Sequence, residues 1–360
     1  MSNFRRWARG AVVAAACMAA CAAARADRLE LVAGGGVKAE GRATECRLDR
    51  PFSAGRDRRG TLYISEEAGR VLAVDRAGRL RRIAGILGSG SGGDGGPASD
   101  AQLAAPHNIV VLPSDDVLVA DTMNHRIRRI SARSGRIAAF AGTGTAGYSG
   151  DGGPALQAEF GAVYCLALDA RRSVLYVDDL DNRRIRSIDM RSGIVSTAAG
   201  NGKKGTPQEG AIAVDAPLVD PRAIAVDSHG RLYILERGGN ALRVVDENGL
   251  IRTVCGTGKP GPASDGDAET ATLSGPKHLA VDRDDNVIIA DTDNHVIRKL
   301  DVRERRVTTI AGTGAAGEGS PGRAPLATAL NQPHGVYVER NGDIIICDSL
   351  NNRVLRYVKE

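Results

Sequence analysis

The sequence predicts an all-β protein, a six-bladed β-propeller of four-stranded antiparallel blades. Three observations lead to this prediction: a repeat of 56 to 58 residues, short strand-like segments within each repeat, and one further such segment near the N-terminus. No long stretch has the 3.6-residue periodicity of an amphipathic helix. Radial closure suits a repeat of this kind because it leaves only short, protected sheet edges.

The repeat is marked by a tripeptide that ends in glycine and by a second landmark inside each unit. The tripeptide ends at Gly85, Gly142, Gly200, Gly256 and Gly312. The second landmark is clearest at 119–130 and 289–300, and weaker copies start at Ile64, Val177, Ile234 and Ile346. Six copies predict six blades, at about 46–85, 86–142, 143–200, 201–256, 257–312 and 313–360.

Each unit is predicted to form four strands. In the second unit they fall at 109–112, 117–120, 126–130 and 137–140, and turn-forming residues separate them. The sixth unit lacks its outer strand, and the segment 29–34 has the missing pattern. We therefore expect 29–34 to complete the last blade, which joins the two ends and removes an open edge.

The first 26 residues predict a secretory signal peptide. Three arginines precede an Ala/Val-rich stretch, and Ala24-Arg25-Ala26 forms a cleavage site. The expected mature chain is 27–360, a single propeller domain that is periplasmic or secreted. Lipoprotein processing at Cys21 is the alternative. No other apolar run reaches the length of about 18 residues that spans a bilayer.

The charge of the expected mature chain argues against a nucleic-acid-binding surface. Removing the signal peptide leaves 44 Lys and Arg against 43 Asp and Glu, so no basic excess remains. The aromatic content of 3% also argues against base stacking.

We expect a monomer whose partner is a protein or an acidic small molecule.

The motifs resemble NHL-repeat propellers of exported bacterial proteins. The resemblance is carried by Ala-Asp-Thr-x-Asn-His-Arg-Ile-Arg at 120–128 and the glycine-rich segment 141–155, and it covers about 29–360. It implies the propeller fold. NHL-like propellers include protein-binding modules, sensor domains and, as a divergent branch, peptide-amidating lyases that hold zinc in the channel.

Topology predicts which face binds. The connections from the last strand of one blade to the first strand of the next are about twenty residues long and share one face, here called the long-loop face. The first strands should ring the channel mouth there with one residue per blade. These residues are Phe52, His107, Tyr164, Arg222, Lys277 and His334. They predict a site for an anionic ligand, with Arg222 as a bidentate fork. The alternative is that a wet mouth tolerates polar residues.

A metal-dependent enzyme is the second hypothesis. The resemblance to amidating lyases implies histidine ligands from separate blades, and His107 and His334 match such positions. Arg222 stands on the blade between them, and His278 is out of register, so the zinc set is incomplete. In a lyase or hydrolase, Tyr164 would be the acid/base and Arg222 the electrophile.

Calcium is the other metal considered, at the Gly-Asp-Gly-Gly loops 93–98 and 150–155, but the full pattern of calcium-ligating residues is missing there.

Other recurring residues are expected to be structural. An acid follows the second strand in five blades, at Asp121, Asp179, Glu236, Asp291 and Asp348, with Ser65 in the first. Each should organise its own turn through nearby backbone N–H groups. His125 and His295 belong to these turns, and His229 should be exposed. Cys165, Cys255 and Cys347 should fill alanine-sized slots, whereas Cys46 has no counterpart. The leading functional prediction is a binding module without a cofactor.

Overall fold

The protein forms a six-bladed β-propeller, as predicted. The structure is a computed structural model that describes residues 26–360, so the predicted signal peptide and Cys21 lie outside the described residues. Six antiparallel sheets follow one another along the chain. The first strands of consecutive blades contact each other, and those of blades 6 and 1 close the ring. These first strands surround the central channel.

Within a blade, the strands run in chain order from the channel to the rim. Blade 1 consists of Pro51–Arg56, Leu62–Glu66, Arg70–Val74 and Arg79–Ala84. Blade 2 consists of Asn108–Val111, Val117–Asp121, Arg126–Ile130 and Ile137–Ala141. Blade 3 consists of Val163–Asp169, Val174–Asp179, Arg184–Asp189 and Val195–Ala199.

The remaining blades have the same plan, and blade 6 takes its outer strand from the N-terminus. Blade 4 consists of Pro221–Val226, Leu232–Glu236, Ala241–Val245 and Leu250–Cys255. Blade 5 consists of His278–Val281, Val287–Asp291, Val296–Asp301 and Arg306–Ala311. Blade 6 consists of Pro333–Val338, Ile344–Asp348, Arg353–Val358 and Arg28–Gly34. Short strands at Gly41–Arg42, Ala211–Ile212 and Gly266–Asp267 add a fifth strand to blades 1, 4 and 5.

The predicted closure between the two ends of the chain is confirmed. Arg28–Gly34 pairs antiparallel with Arg353–Val358, from Arg28 opposite Val358 to Gly34 opposite Arg353. Arg28 also forms an ion pair with Glu360 at 2.7 Å. The last blade is therefore held by residues from both ends.

Helices in residues 26–360 are single 3₁₀ turns. They are Ala43–Glu45, Ala98–Asp100, Thr122–Asn124, Ala155–Gln157, Ala213–Asp215, Thr292–Asn294, Pro325–Ala327 and Ser349–Asn351. None of them has the length or the apolar character of a membrane-crossing helix.

The hydrophobic core lies between blades, where the second strands are largely or fully buried. The second strand of blade 5, with sequence VIIAD, is buried throughout, which explains its continuous apolar run. Cys165, Cys255 and Cys347 are buried free thiols within this core, as expected of alanine-sized positions. Cys46 is also buried and free, and its thiol donates to the carbonyl oxygen of Arg42 at 3.2 Å.

A fully buried acid ends the second strand in all six blades. The acids are Glu66, Asp121, Asp179, Glu236, Asp291 and Asp348. The first blade therefore uses Glu66, and the sequence assignment to Ser65 was wrong by one residue. Each carboxylate accepts a hydrogen bond from a backbone N–H 17 or 18 residues upstream, at 2.5–2.8 Å. The prediction that each carboxylate accepts from a backbone N–H of the turn that follows it was also wrong.

These acids fix the long loops, because the upstream N–H lies just before the first strand of the same blade. Asp291, for example, accepts from Ser274 N at 2.8 Å, from the Asn294 side chain at 2.8 Å, and lies 3.5 Å from Arg298. Burial raises the pKa of Asp291 to about 6, although these partners oppose the shift.

Buried arginines extend this network into the glycine-rich loops. Arg128 and Arg186 are fully buried, and they pair with Asp94 at 2.8 Å and Asp151 at 2.6 Å. These aspartates belong to the two Gly-Asp-Gly-Gly loops. Their carboxylates therefore face a guanidinium, which is an unfavourable setting for calcium.

The turn histidines bridge blades, in line with the structural role expected of them. His125 and His295 adopt left-handed backbone conformations, with φ of 53° and 56°. His125 Nδ1 donates to the carbonyl of Gly161 at 3.1 Å, and His295 Nδ1 accepts from Gln332 N at 3.1 Å. His229 is 61% exposed, as expected.

Replacing one strand-end acid should destabilise the whole propeller. We expect Asp291→Ala to lower the free energy of unfolding by about 3 kcal/mol, because Arg298 and the Ser274 N–H lose their buried partner. Urea denaturation followed by circular dichroism measures this. Asp293→Ala, in the same turn but exposed, is the matched control and should be nearly neutral. Equal stabilities of the two variants would contradict the assigned role.

Candidate functional site

The predicted mouth residues come together at the long-loop end of the channel. The ring of Phe52 stacks against His107 on one side, with centroids 4.5 Å apart, and against His334 on the other, at 4.3 Å. His107 in turn meets the ring of Tyr164 edge-on at 4.3 Å. Side chains from blades 6, 1, 2 and 3 thus form one continuous aromatic cluster.

Arg222 of blade 4 completes this cluster. Its guanidinium lies 3.6 Å from the centroid of the Tyr164 ring, in a cation–π contact. Its Nη2 lies 3.4 Å from Nε2 of His334. Lys277 of blade 5 is half-buried nearby, and its pKa is lowered by burial and by the charges of Arg222 and Arg237.

Strand irregularities turn these side chains toward the channel. The pairing of the first strand with the second shifts register across Phe52, Tyr164, Arg222 and His334. Such a bulge re-aims a side chain that regular alternation would place elsewhere. In blades 2 and 5, His107 and Lys277 directly precede the first strand. The prolines that precede most ring residues marked this position in the sequence.

The mouth is closed rather than wet, which corrects one of the sequence expectations. Phe52, His107, Arg222 and His334 are only 5–8% exposed. Tyr164 and Lys277 remain half-buried. A ligand arriving from the long-loop face would therefore meet Tyr164 and Lys277 first.

Both mouth histidines are held neutral. Burial lowers the pKa of His107 to about 3, with a further contribution from Arg222. Burial also lowers the pKa of His334, and Arg222 adds to that effect. His107 Nδ1 donates to the carbonyl of Ala105 at 2.8 Å, which leaves its Nε2 as a lone-pair acceptor.

The histidine pair fits a zinc ion poorly. The two rings are 5.7 Å apart, but Nε2 of His334 faces the guanidinium of Arg222. A divalent cation would have to share that space with a fixed positive charge, and the site offers no third histidine. In residues 26–360, one group of three potential ligand atoms lies within 4.8 Å, namely Asp227, His229 and Asp285 on the opposite face.

Two buried polar residues near the ring were missed by sequence reasoning. Asp178, on the second strand of blade 3, is fully buried, and its largest charge interaction is with Arg222. Asn108 bonds across the channel to Nε2 of His278 at 2.9 Å. The signal for Asp178 was a second acid directly before Asp179, where other blades have small or apolar residues.

The channel is open at the opposite end. A cavity of about 290 Å³ is lined by all six first strands, mainly by aliphatic residues such as Val111, Leu168 and Val226. Asn108 and His278 also line it. His278 therefore lies outside the mouth ring, as its register predicted.

Comparisons with known proteins place the chain among repeat propellers. The NHL repeat model matches residues 103–130 and 330–357, and the Teneurin NHL domain model matches 190–261. The SUPPRESSOR OF QUENCHING 1 protein of Arabidopsis thaliana is 28% identical over 73% of this chain and 26% of its own length. NHL repeat-containing protein 2 of Bos taurus is 23% identical over 80% of this chain and 43% of its own. The chain thus spans less than half of either relative.

Solved structures of similar fold include binding proteins and a lyase. An auxiliary nutrient binding protein from Bacteroides ovatus superposes with a TM-score of 0.69 and 17% identity, over 93% of this chain and 77% of that one. Virginiamycin B lyase from Staphylococcus aureus, solved with quinupristin, has a TM-score of 0.51 and 15% identity, over 86% and 80%. At these identities the likeness concerns the fold alone.

The two mouth histidines should not titrate in the neutral range. We expect the imidazole signals of His107 and His334 to stay constant between about pH 5 and pH 8, because protonation would add charge beside Arg222. Proton–carbon NMR measures this, with single His→Gln variants for assignment and a short histidine peptide as reference. A midpoint close to that of the peptide would contradict the closed, cationic mouth.

Proposed function

Because the chain belongs to the NHL-repeat propeller family, we propose that it is an exported binding protein that takes an acidic ligand at the long-loop end of its channel. One observation carries the proposal. Arg222 is 7% exposed, yet no carboxylate oxygen of residues 26–360 lies within 4.0 Å of it. Buried charges are normally paired, so this guanidinium lacks the partner that an anion would supply.

The surrounding charges favour the same kind of ligand. The charge of Arg237 contributes to lowering the pKa of Arg222, and the charges of Arg222 and Arg237 contribute to lowering the pKa of Lys277. Neither Lys277 nor Arg237 forms an ion pair in the described part of the chain. Elsewhere in the protein, buried arginines such as Arg128 and Arg243 have carboxylate partners. A carboxylate over Tyr164 would meet the guanidinium fork and the lysine together.

The proposal favours an acidic small molecule over a protein as the ligand. The cations converge at the centre of the ring, where one anionic group is enough to contact them, and the aromatic cluster beneath is already packed.

Export is part of the proposal, with mature residues 27–360. Cleavage after Ala26 would leave the closing strand Arg28–Gly34 intact. Mass spectrometry of the protein from the cell envelope would distinguish this from lipidation at Cys21.

Removing the Arg222 charge should abolish most of the anion affinity. The probes are acetate, succinate, citrate and inorganic phosphate, titrated by calorimetry or NMR. We expect Arg222→Gln to weaken binding of the best probe by at least about tenfold, since a charge-assisted pair is lost. Arg222→Lys should restore only part of it, because lysine lacks the fork.

The matched control is Arg340→Gln. Arg340 lies on the opposite face and forms no ion pair among residues 26–360, so its loss should leave affinity unchanged. Equal losses of affinity in both variants would mean that the effect comes from the net charge of the protein and not from Arg222 as a ligand-binding residue. Failure of all probes to bind the wild-type protein would overturn the small-molecule proposal and favour a protein partner.

A channel-centred lyase or hydrolase is the second candidate function. It is favoured by His107, which is neutral and has an unprotonated Nε2, beside Tyr164 and Arg222. In such an enzyme His107 would act as the base, Tyr164 as the acid and Arg222 as the electrophile. Conversion of quinupristin by the wild type, lost in His107→Ala and insensitive to chelators, would place this candidate first. The binding proposal expects no conversion.

A further inference from the structure

Asp178 has a carboxylate where the other blades have none. The equivalent position on the second strand is occupied in the other five blades by Ser65, Ala120, Leu235, Ala290 and Cys347. Asp178 is 0% exposed, and neither of its carboxylate oxygens has a hydrogen-bond partner. Buried carboxylates are rarely left unpartnered, so this residue requires an explanation beyond packing.

The equivalent residue in blade 1 indicates where Asp178 reaches. Ser65 Oγ lies 2.9 Å from Ser53 Oγ and 3.5 Å from the carbonyl oxygen of His107, the mouth residue of the next blade. By the repeat, the position of Asp178 is close to Cys165 and to the backbone of the mouth residue of blade 4, which is Arg222. The unmatched acid and the unmatched arginine therefore stand on adjacent blades.

The groups around Asp178 make Arg222 its main cation. The charges of Arg222 and Asp220 on blade 4, and those of Asp179 and Asp181 on its own blade, act on the pKa of Asp178, and the charge of Asp178 acts on the pKa of Cys165. Burial raises the pKa of Asp178 well above the usual range, Arg222 opposes that shift, and the three neighbouring acids add to it. The carboxylate oxygens lie more than 4.0 Å from the guanidinium, since they form no ion pair with it.

We propose that Asp178 and the bound acidic ligand compete for Arg222, so that binding of one ligand anion is coupled to uptake of one proton by Asp178. This inference rests on the proposed anion site and adds its regulation. Without ligand, Arg222 favours the ionised carboxylate of Asp178. When a ligand carboxylate takes the guanidinium, two buried anions would share one cation, and the buried Asp178 is the one that accepts a proton from solvent.

The coupling gives the site a defined pH dependence. In the range where Asp178 is ionised in the free protein, ligand affinity should fall about tenfold per pH unit as pH rises. Where Asp178 is already protonated, affinity should not depend on its titration. The ligand then behaves as if it bound together with a proton, and it is released more readily at higher pH.

The number of protons taken up on binding tests this directly. Calorimetric titration of the best carboxylate probe is carried out in two buffers that differ in ionisation enthalpy, at several pH values. For the wild type we expect uptake that approaches one proton per anion. For Asp178→Asn we expect no uptake, and an affinity that no longer falls with pH and exceeds that of the wild type at high pH.

Two further variants keep the test decisive. Asp178→Ala reproduces the residue found in blades 2 and 5 and replaces Asp178→Asn if that variant fails to fold. Ser65→Ala changes the equivalent position in blade 1, and it should leave proton uptake as in the wild type. Anion binding by the wild type without proton uptake, or with uptake that survives in Asp178→Ala, would overturn this inference and leave the anion site standing. Absence of anion binding by the wild type would instead overturn the proposed function.

Discussion

The propeller depends on six buried carboxylates, one at the end of each second strand. Each carboxylate ties the second strand of its blade to the loop that leads into that blade, through a backbone N–H 17 or 18 residues upstream. Arginines on the third strands complete the charge balance, and several reach acids in the long loops. Because buried ions tolerate few arrangements, this network fixes where each first strand starts, and thereby the height of the channel mouth.

The position of the first strands determines the chemistry of the mouth. Each first strand contributes one side chain there, and four of the six lie at a register shift that turns them inward. Rings from four blades then stack and exclude water, which holds His107 and His334 neutral. A cation in such a setting interacts strongly with any nearby anion, because the surroundings screen it poorly.

The symmetry of the repeat is broken between blades 3 and 4. Five blades have a small or apolar side chain, or a serine, at the position of Asp178, and only blade 4 contributes an arginine to the mouth. Repeated residues such as the strand-end acids build the scaffold, since each blade needs one. The proposed site needs unequal groups in one place, and Asp178, Tyr164 and Arg222 are unequal groups on the adjacent blades 3 and 4.

The sequence by itself determined the number of blades, the closing strand and the six mouth residues, because spacing and strand alternation are local properties. It misassigned Glu66 as Ser65, and it placed the partners of the strand-end acids in the wrong segment, because those hydrogen bonds reach far along the chain. Only the tertiary structure decided that the mouth is closed and that Asp178 is buried without a hydrogen-bond partner. The physical reason is that both follow from packing between blades, where contacts such as Arg222 with His334 join residues 112 positions apart.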